Sequence, residues 1–137
     1  MRKQRWMMVT AVALALAVGV ACDDDAAFGP ENPAGTMVVS LTTPNADDGA
    51  IMFTVSGGEM YSPTLSNTEY VLYMLEGTNT LTAVVVGDIE AGALLEFGVP
   101  ALNVTYTATV TQVADRLNDL RDPLTGYDLT VDLEVTE

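Results

Sequence analysis

The chain has one cysteine, Cys22, in the stretch AVGVACDDD, and it has no histidine. Those two facts remove most side-chain chemistry at once. A single thiol cannot close a disulfide within the chain, and without imidazole neither a mixed cysteine/histidine zinc site nor a serine–histidine triad can be assembled. What remains is the thiol itself and carboxylate chemistry. Asp47 with Asp48 in NADDG, and Asp88 with Glu90 in GDIEAG, are close enough in sequence to be weighed as acid and base. Both pairs sit beside glycine in segments dense in turn formers, where aspartate is used for local hydrogen bonding, so turn chemistry is the preferred reading. The expectation is a protein without catalytic residues and without a cofactor. A carboxylate-dependent hydrolase or hydrolase subunit is the alternative.

A third group of acids, Asp115, Asp119 and Asp122, lies in ADRLNDLRDP. Hard oxygen ligands of this kind suit calcium, but no EF-hand spacing is present, and Arg116 and Arg121 are interleaved where they can pair with the acids. Local ion pairing is preferred and no metal is expected. Asp115 can cap a single helical turn, or the segment is a packed loop. Binding residues gather on loops held by a rigid scaffold, so Asp115, Arg116, Asp119, Arg121 and Asp122 form the best candidate for a partner contact. The competing reading is a structural cap that closes one end of the domain. Thr105, Thr107, Thr109 and Thr111 form a hydroxyl row that reads as a solvated strand face rather than a surface for sugar or ice. Tyr70 and Tyr73 fall on opposite faces of one strand, so one of them at most is expected to be exposed.

Cys22 is explained by what precedes it. MRKQR is basic, residues 6–21 are uncharged and mostly apolar, and GVA supplies small residues just before the cysteine. This is the plan of a secretory signal peptide, and the apolar run is shorter than the ~20 residues that span a bilayer. With cysteine at the cleavage point, the N-terminus resembles that of bacterial lipoproteins, although Gly19 stands where their usual motif has leucine. The resemblance implies that the Cys22 thiol is joined to diacylglycerol, that residues 1–21 are removed, and that the protein is held at a membrane of the cell envelope, facing the periplasm or the exterior. Each buried methylene contributes ~0.8 kcal/mol, so two or three acyl chains make a lasting anchor. Asp23, Asp24 and Asp25 read as a solvated collar or as a sorting signal.

The net charge is −14, and three of the five basic residues lie within the first five positions. Once residues 1–21 are gone, Arg116 and Arg121 stand against all 19 acids, a net of −17. Such a surface repels phosphate backbones and anionic headgroups, which excludes nucleic acid and makes the lipid the expected route to the membrane. Residues 22–35, rich in proline and glycine, read as the acylated cysteine and a flexible linker, and residues 36–137 as one domain.

The apolar pattern of that domain has period two. MVVSLT turns Met37, Val39 and Leu41 to one face, AIMFTVS turns Ile51, Phe53 and Val55, and the turn-rich PNADDG between them predicts adjacent antiparallel strands. EYVLYML and TLTAVVV form a second pair. ALLEFGV, VTYTATVTQV and YDLTVDLEV complete a count of seven. The predicted fold is an all-β antiparallel sandwich, immunoglobulin-like in layout but without the immunoglobulin disulfide. From GDIEAGALLEFGVP through TYTATVTQVAD to GYDLTVDLEV, the order of elements resembles the C-terminal half of cohesin-type and related carbohydrate-binding sandwich domains. That resemblance implies a docking or binding module for a protein or glycan partner. A purely structural envelope protein is the remaining alternative.

Overall fold

The computed structural model describes residues 32–135, so residues 1–21, Cys22 and most of the linker lie outside the described residues. Eight strands fill the described part: β1 (Gly35–Thr42), β2 (Asp48–Ser56), β3 (Tyr61–Leu65), β4 (Val71–Gly77), β5 (Thr80–Ile89), β6 (Gly92–Val99), β7 (Thr107–Asp115) and β8 (Asp128–Leu133). They form two four-stranded sheets, β3-β6-β1-β8 and β4-β5-β2-β7, in which every pairing is antiparallel. The architecture is the predicted all-β sandwich, with one strand more than the sequence count.

β1 and β2 do not pair. β1 pairs with β6 and β8, and β2 pairs with β5 and β7, so the turn-rich segment between β1 and β2 is an arch from one sheet to the other. Only β4 and β5 are consecutive strands of one sheet, joined through Thr78 and Asn79, with Asn79 in the left-handed region at φ 60°. The extra strand is β3, which the sequence pattern hides because it is short and contains Pro63. It docks on β6 through Tyr61, whose ring covers Gly98 where any Cβ would collide, and whose hydroxyl donates to the Val99 carbonyl at 3.2 Å.

The core lies between the sheets and follows the alternation closely. Val39, Ile51, Phe53, Val55, Phe97 and Val99 are all buried, as the period of two requires. Register shifts alter it, one of them between Asp48 and Ala50, where Asp48 turns inward. The register between β1 and β6 shifts between Val39 and Ser40, which lets both Leu94 and Leu95 face inward. A second shift between β2 and β7, at Met52/Phe53, changes the parity of β7 so that Val113 rather than Thr111 or Gln112 continues the inward row. At the end away from the arch, Tyr106 meets Phe97 edge-to-face at 5.4 Å and donates to the Glu59 carbonyl at 2.8 Å. Burial and the nearby Glu59 carboxylate raise the pKa of this phenol.

On the outer face of the second sheet, Thr107 and Thr109 stand beside Ser56 and Thr54 of β2. The Thr54 and Thr82 hydroxyls lie 3.3 Å apart, as do those of Ser56 and Thr107. Thr107 and Thr109 thus form a strand face turned to solvent, whereas Thr105 precedes β7 and Thr111 sits at the register shift with its hydroxyl donated to the Met52 carbonyl at 3.0 Å. Phe53→Ala or Phe97→Ala is expected to cost about 3–5 kcal/mol, and Thr107→Ala within about 0.5 kcal/mol. Denaturant midpoints for the three variants check the assignment of faces, and a costlier Thr107→Ala would reverse it.

Candidate functional site

The acids and arginines singled out in the sequence come together where the β1–β2 arch meets the long β7–β8 connection. Among the described residues Asp48 is the one buried charged side chain, fully excluded from solvent at the first position of β2. Its Oδ2 accepts a 2.6 Å hydrogen bond from Thr43 Oγ1. Its Oδ1 accepts one from the Tyr127 hydroxyl at 2.7 Å and one from Arg121 Nε at 3.3 Å. Asn45 Nδ2 donates to the Tyr127 oxygen at 2.7 Å, which leaves the phenolic proton for Asp48. Taking a carboxylate out of water costs several kcal/mol unless a countercharge and full hydrogen bonding offset it. Here three donors do so, one of them the Arg121 guanidinium.

Arg121 reaches past Asp48 to pair with Asp47 through Nη2, so one guanidinium bridges both carboxylates of NADDG. Burial alone would lower its pKa, but the charge of Asp47 and the hydrogen bond to Asp48 outweigh it, and the net shift is upward. Burial, reinforced by the hydrogen bond to Asp48, likewise raises the Tyr127 phenol above its usual value of 10.

Main-chain bonds fasten the same junction. Arg116 donates its amide to the Asp47 carbonyl and its Nη2 to the Ala46 carbonyl, both at 3.0 Å. The Arg121 amide donates to the Val113 carbonyl at 2.8 Å, and an isolated bridge joins Ala114 to Leu120, so the loop folds back along the free edge of β7. Gly49 makes the close approach possible, since a Cβ there would lie 2.8 Å from the Asp115 carbonyl oxygen and 2.9 Å from the Arg116 Cα.

ADRLNDLRDP contains no helix. Asp115 Oδ1 accepts the amides of Leu117 at 2.8 Å and Asp119 at 3.0 Å, and Asn118 turns the chain at φ 69°. It is a packed loop folded around one aspartate. The hydrogen bond from the Asp119 amide, the one from Leu117 and the charge of Arg121 hold the Asp115 carboxyl below its usual pKa, against the opposing effect of desolvation.

The arginines do not pair within their own segment as the sequence suggested. Arg116 pairs with Asp88 of β5, and Arg121 pairs with Asp47 and Asp48. Asp115 is occupied by its own turn, and the arch and β5 bring other carboxylates within reach. Asp119 and Asp122 stay exposed. Among the described residues no group of three or more potential metal ligands assembles. Arg121 bridges the Asp47 and Asp48 carboxylates, and Arg116 pairs with Asp88, while the Glu90 amide donates to the Tyr70 hydroxyl at 3.4 Å. Gly49, Asp88, Asp115, Arg116 and Asn118 line an open cleft of about 360 Å³ beside the Arg116–Asp88 pair.

Three residues of this junction escaped the sequence reading: Thr43, Asn45 and Tyr127. Thr43 and Asn45 carried only a turn signal, and Tyr127 fitted the strand alternation, where nothing marks a phenol that will meet an acid. Asp115, Arg116 and Arg121 do sit together at the end of the sandwich, but as parts of a clasp between the two sheets. No family model, no curated protein and no solved structure matches this chain.

The two arginines are expected to separate clearly. Arg121→Gln strands a buried carboxylate and should lower the melting temperature by on the order of 10 °C, whereas Arg116→Gln, an exposed pair, should change it by a few °C at most. Equal small effects would mean that Thr43 and Tyr127 hold Asp48 unaided. A phenol with a raised folded-state pKa contributes stability below pH 10 that is lost as the pH rises through the folded value. Absorbance titration should therefore show Tyr127 and Tyr106 ionising above the usual tyrosine value of 10, with one late titration missing in Tyr127→Phe. A variant whose titration curve keeps both late steps would contradict the raised Tyr127 value.

Proposed function

We propose that the chain is a lipid-anchored, non-enzymatic module of the bacterial cell envelope, tethered through Cys22 and docking a protein or glycan partner with its β-sandwich. The reading of the anchor rests on the N-terminal sequence, which lies outside the described residues. The observation that carries the docking reading is that a sandwich with a filled core still leaves large apolar side chains in water. Among the described residues they are Tyr61 of β3, Leu117 and Leu120 on the clasp loop, Leu133 and Val135 at and just beyond the end of β8, and, most densely, Val71, Tyr73, Met74 and Leu75 along β4 with Val86 of β5 beside them. Single-domain surfaces seldom leave contiguous apolar side chains solvated unless something covers them. The acidic surface, with both described arginines engaged in ion pairs, favours a cationic or neutral partner over nucleic acid.

Labelled palmitate incorporation tests the anchor. The unaltered protein should take up label and fractionate with membranes. Cys22→Ala should take up none and should appear either as a soluble form or as an unprocessed precursor. An unaltered protein that takes up no fatty acid and stays soluble would refute the lipid anchor.

A further inference from the structure

A sandwich of two open sheets has four edge strands, and an unprotected edge is a template for another strand. Three of the four edges here are protected. The edge of β7 is covered by the returning loop through the Ala114–Leu120 bridge and the Arg121 amide. β8 carries Asp128 and Asp132, with Glu134 just beyond it. β3 is five residues long, contains Pro63 and has Ser62 in the left-handed region at φ 50°. Among the described residues β4 has no covering loop, no proline and no residue in the left-handed region, and its one charge is Glu76 near its C-terminal end. It pairs only with β5, and its stretch VLYML carries no charge and no proline. Val71, Tyr73, Met74 and Leu75 are 50%, 63%, 44% and 74% exposed.

The surroundings of β4 also indicate what would fit. On its outer face Val71 and Tyr73 stand beside Val86 and Val84 of β5, and these in turn beside Ala50 and Met52 of β2, so an added strand would extend an existing apolar face. The charges that bracket the strip are Glu69 and Glu76; Arg121 is held at the far, β7 side of the sheet by Asp47 and Asp48, and Arg116, which reaches across to β5, is paired there with Asp88. A second copy would bring the same Glu69 and Glu76 and the same acidic surface to the shared edge, with both described arginines already paired to aspartates. Like charge gathered on both partners opposes their association. From this we propose that the β4 edge accepts an extended segment of another protein, added as a fifth strand, with alternating apolar residues and lysine or arginine at its ends. This names the surface and partner class for the docking function proposed above and rests on that reading. Main-chain hydrogen bonds supply affinity in such additions, and flanking charge selects the partner.

The test uses the full-length protein in detergent and two synthetic peptides, each with a central alternating valine/threonine run, one ending in lysine pairs and the other in glutamate pairs. The lysine-ended peptide should bind at least tenfold more tightly. Tyr73→Lys combined with Leu75→Lys should weaken it at least tenfold, while Leu117→Lys on the clasp loop should change it less than twofold. Glu69→Gln combined with Glu76→Gln alters exposed positions and should narrow the gap between the peptides even if the lysine variant folds poorly. No binding, equal binding of the two peptides, or a loss carried by Leu117→Lys would overturn the proposal. A concentration-dependent dimer that Leu75→Lys dissociates would overturn it in favour of a second copy. None of these outcomes bears on palmitate labelling, so failure of the edge and failure of the anchor are read separately.

Discussion

The structure depends on one carboxylate that has been taken out of water. Asp48 begins β2 in one sheet, and the residues that satisfy it come from the arch leaving β1 and from the connection entering β8, both strands of the other sheet. Apolar contact between the faces is non-directional and would tolerate sliding, whereas a buried charge requires its particular donors in place. Whether such groups fix a unique arrangement differs from protein to protein, but here the geometry makes the requirement explicit. Thr43, Tyr127 and Arg121 reach Asp48 only if arch, loop and both sheets are in register.

This clasp consumes the cationic resources of the described domain. Arg121 is spent on Asp47 and Asp48, and Arg116 on Asp88, so the remaining surface is acidic with no free arginine among the described residues. The clasp also covers the β7 edge, which leaves the two long sides of the second sheet unlike each other. One side is closed by hydrogen bonds and charge, and the other, at β4, presents an apolar strand. A domain held near a membrane by a lipid would need no membrane-binding surface of its own, and its exposed strand would be free for a partner.

Much of the fold was legible in the sequence because half-buried antiparallel strands reveal themselves by alternation. Ile51, Phe53, Val55, Phe97 and Val99 follow it without exception. The failures have physical causes. Neighbours in sequence were expected to be neighbours in a sheet, which holds for β4 and β5 with their two-residue turn and fails for β1 and β2, because an arch and a hairpin use the same turn-forming residues. Leu94 with Leu95, and Val113, depend on bulges whose position is set by the partner strand. β3 lacks a pattern, being short and interrupted by Pro63. At the clasp, Asp115, Arg116 and Arg121 stood out as charged residues in an otherwise uncharged grammar, but the identity of their partners is tertiary information. The exposure of VLYML was also hidden, since an apolar run reads equally as a central strand until its place in the sheet is known.

Amide hydrogen exchange of the folded protein most directly tests the claim that one side of the second sheet is closed and the other open. The amides of Arg116 and Arg121, bonded to the Asp47 and Val113 carbonyls, should exchange far more slowly than unprotected backbone, because they open only when the clasp loop leaves the arch and the β7 edge. Every second amide of β4 should exchange at rates near those of unprotected backbone. Fast exchange at Arg116 and Arg121, or uniform protection along β4 in the isolated protein, would contradict this account.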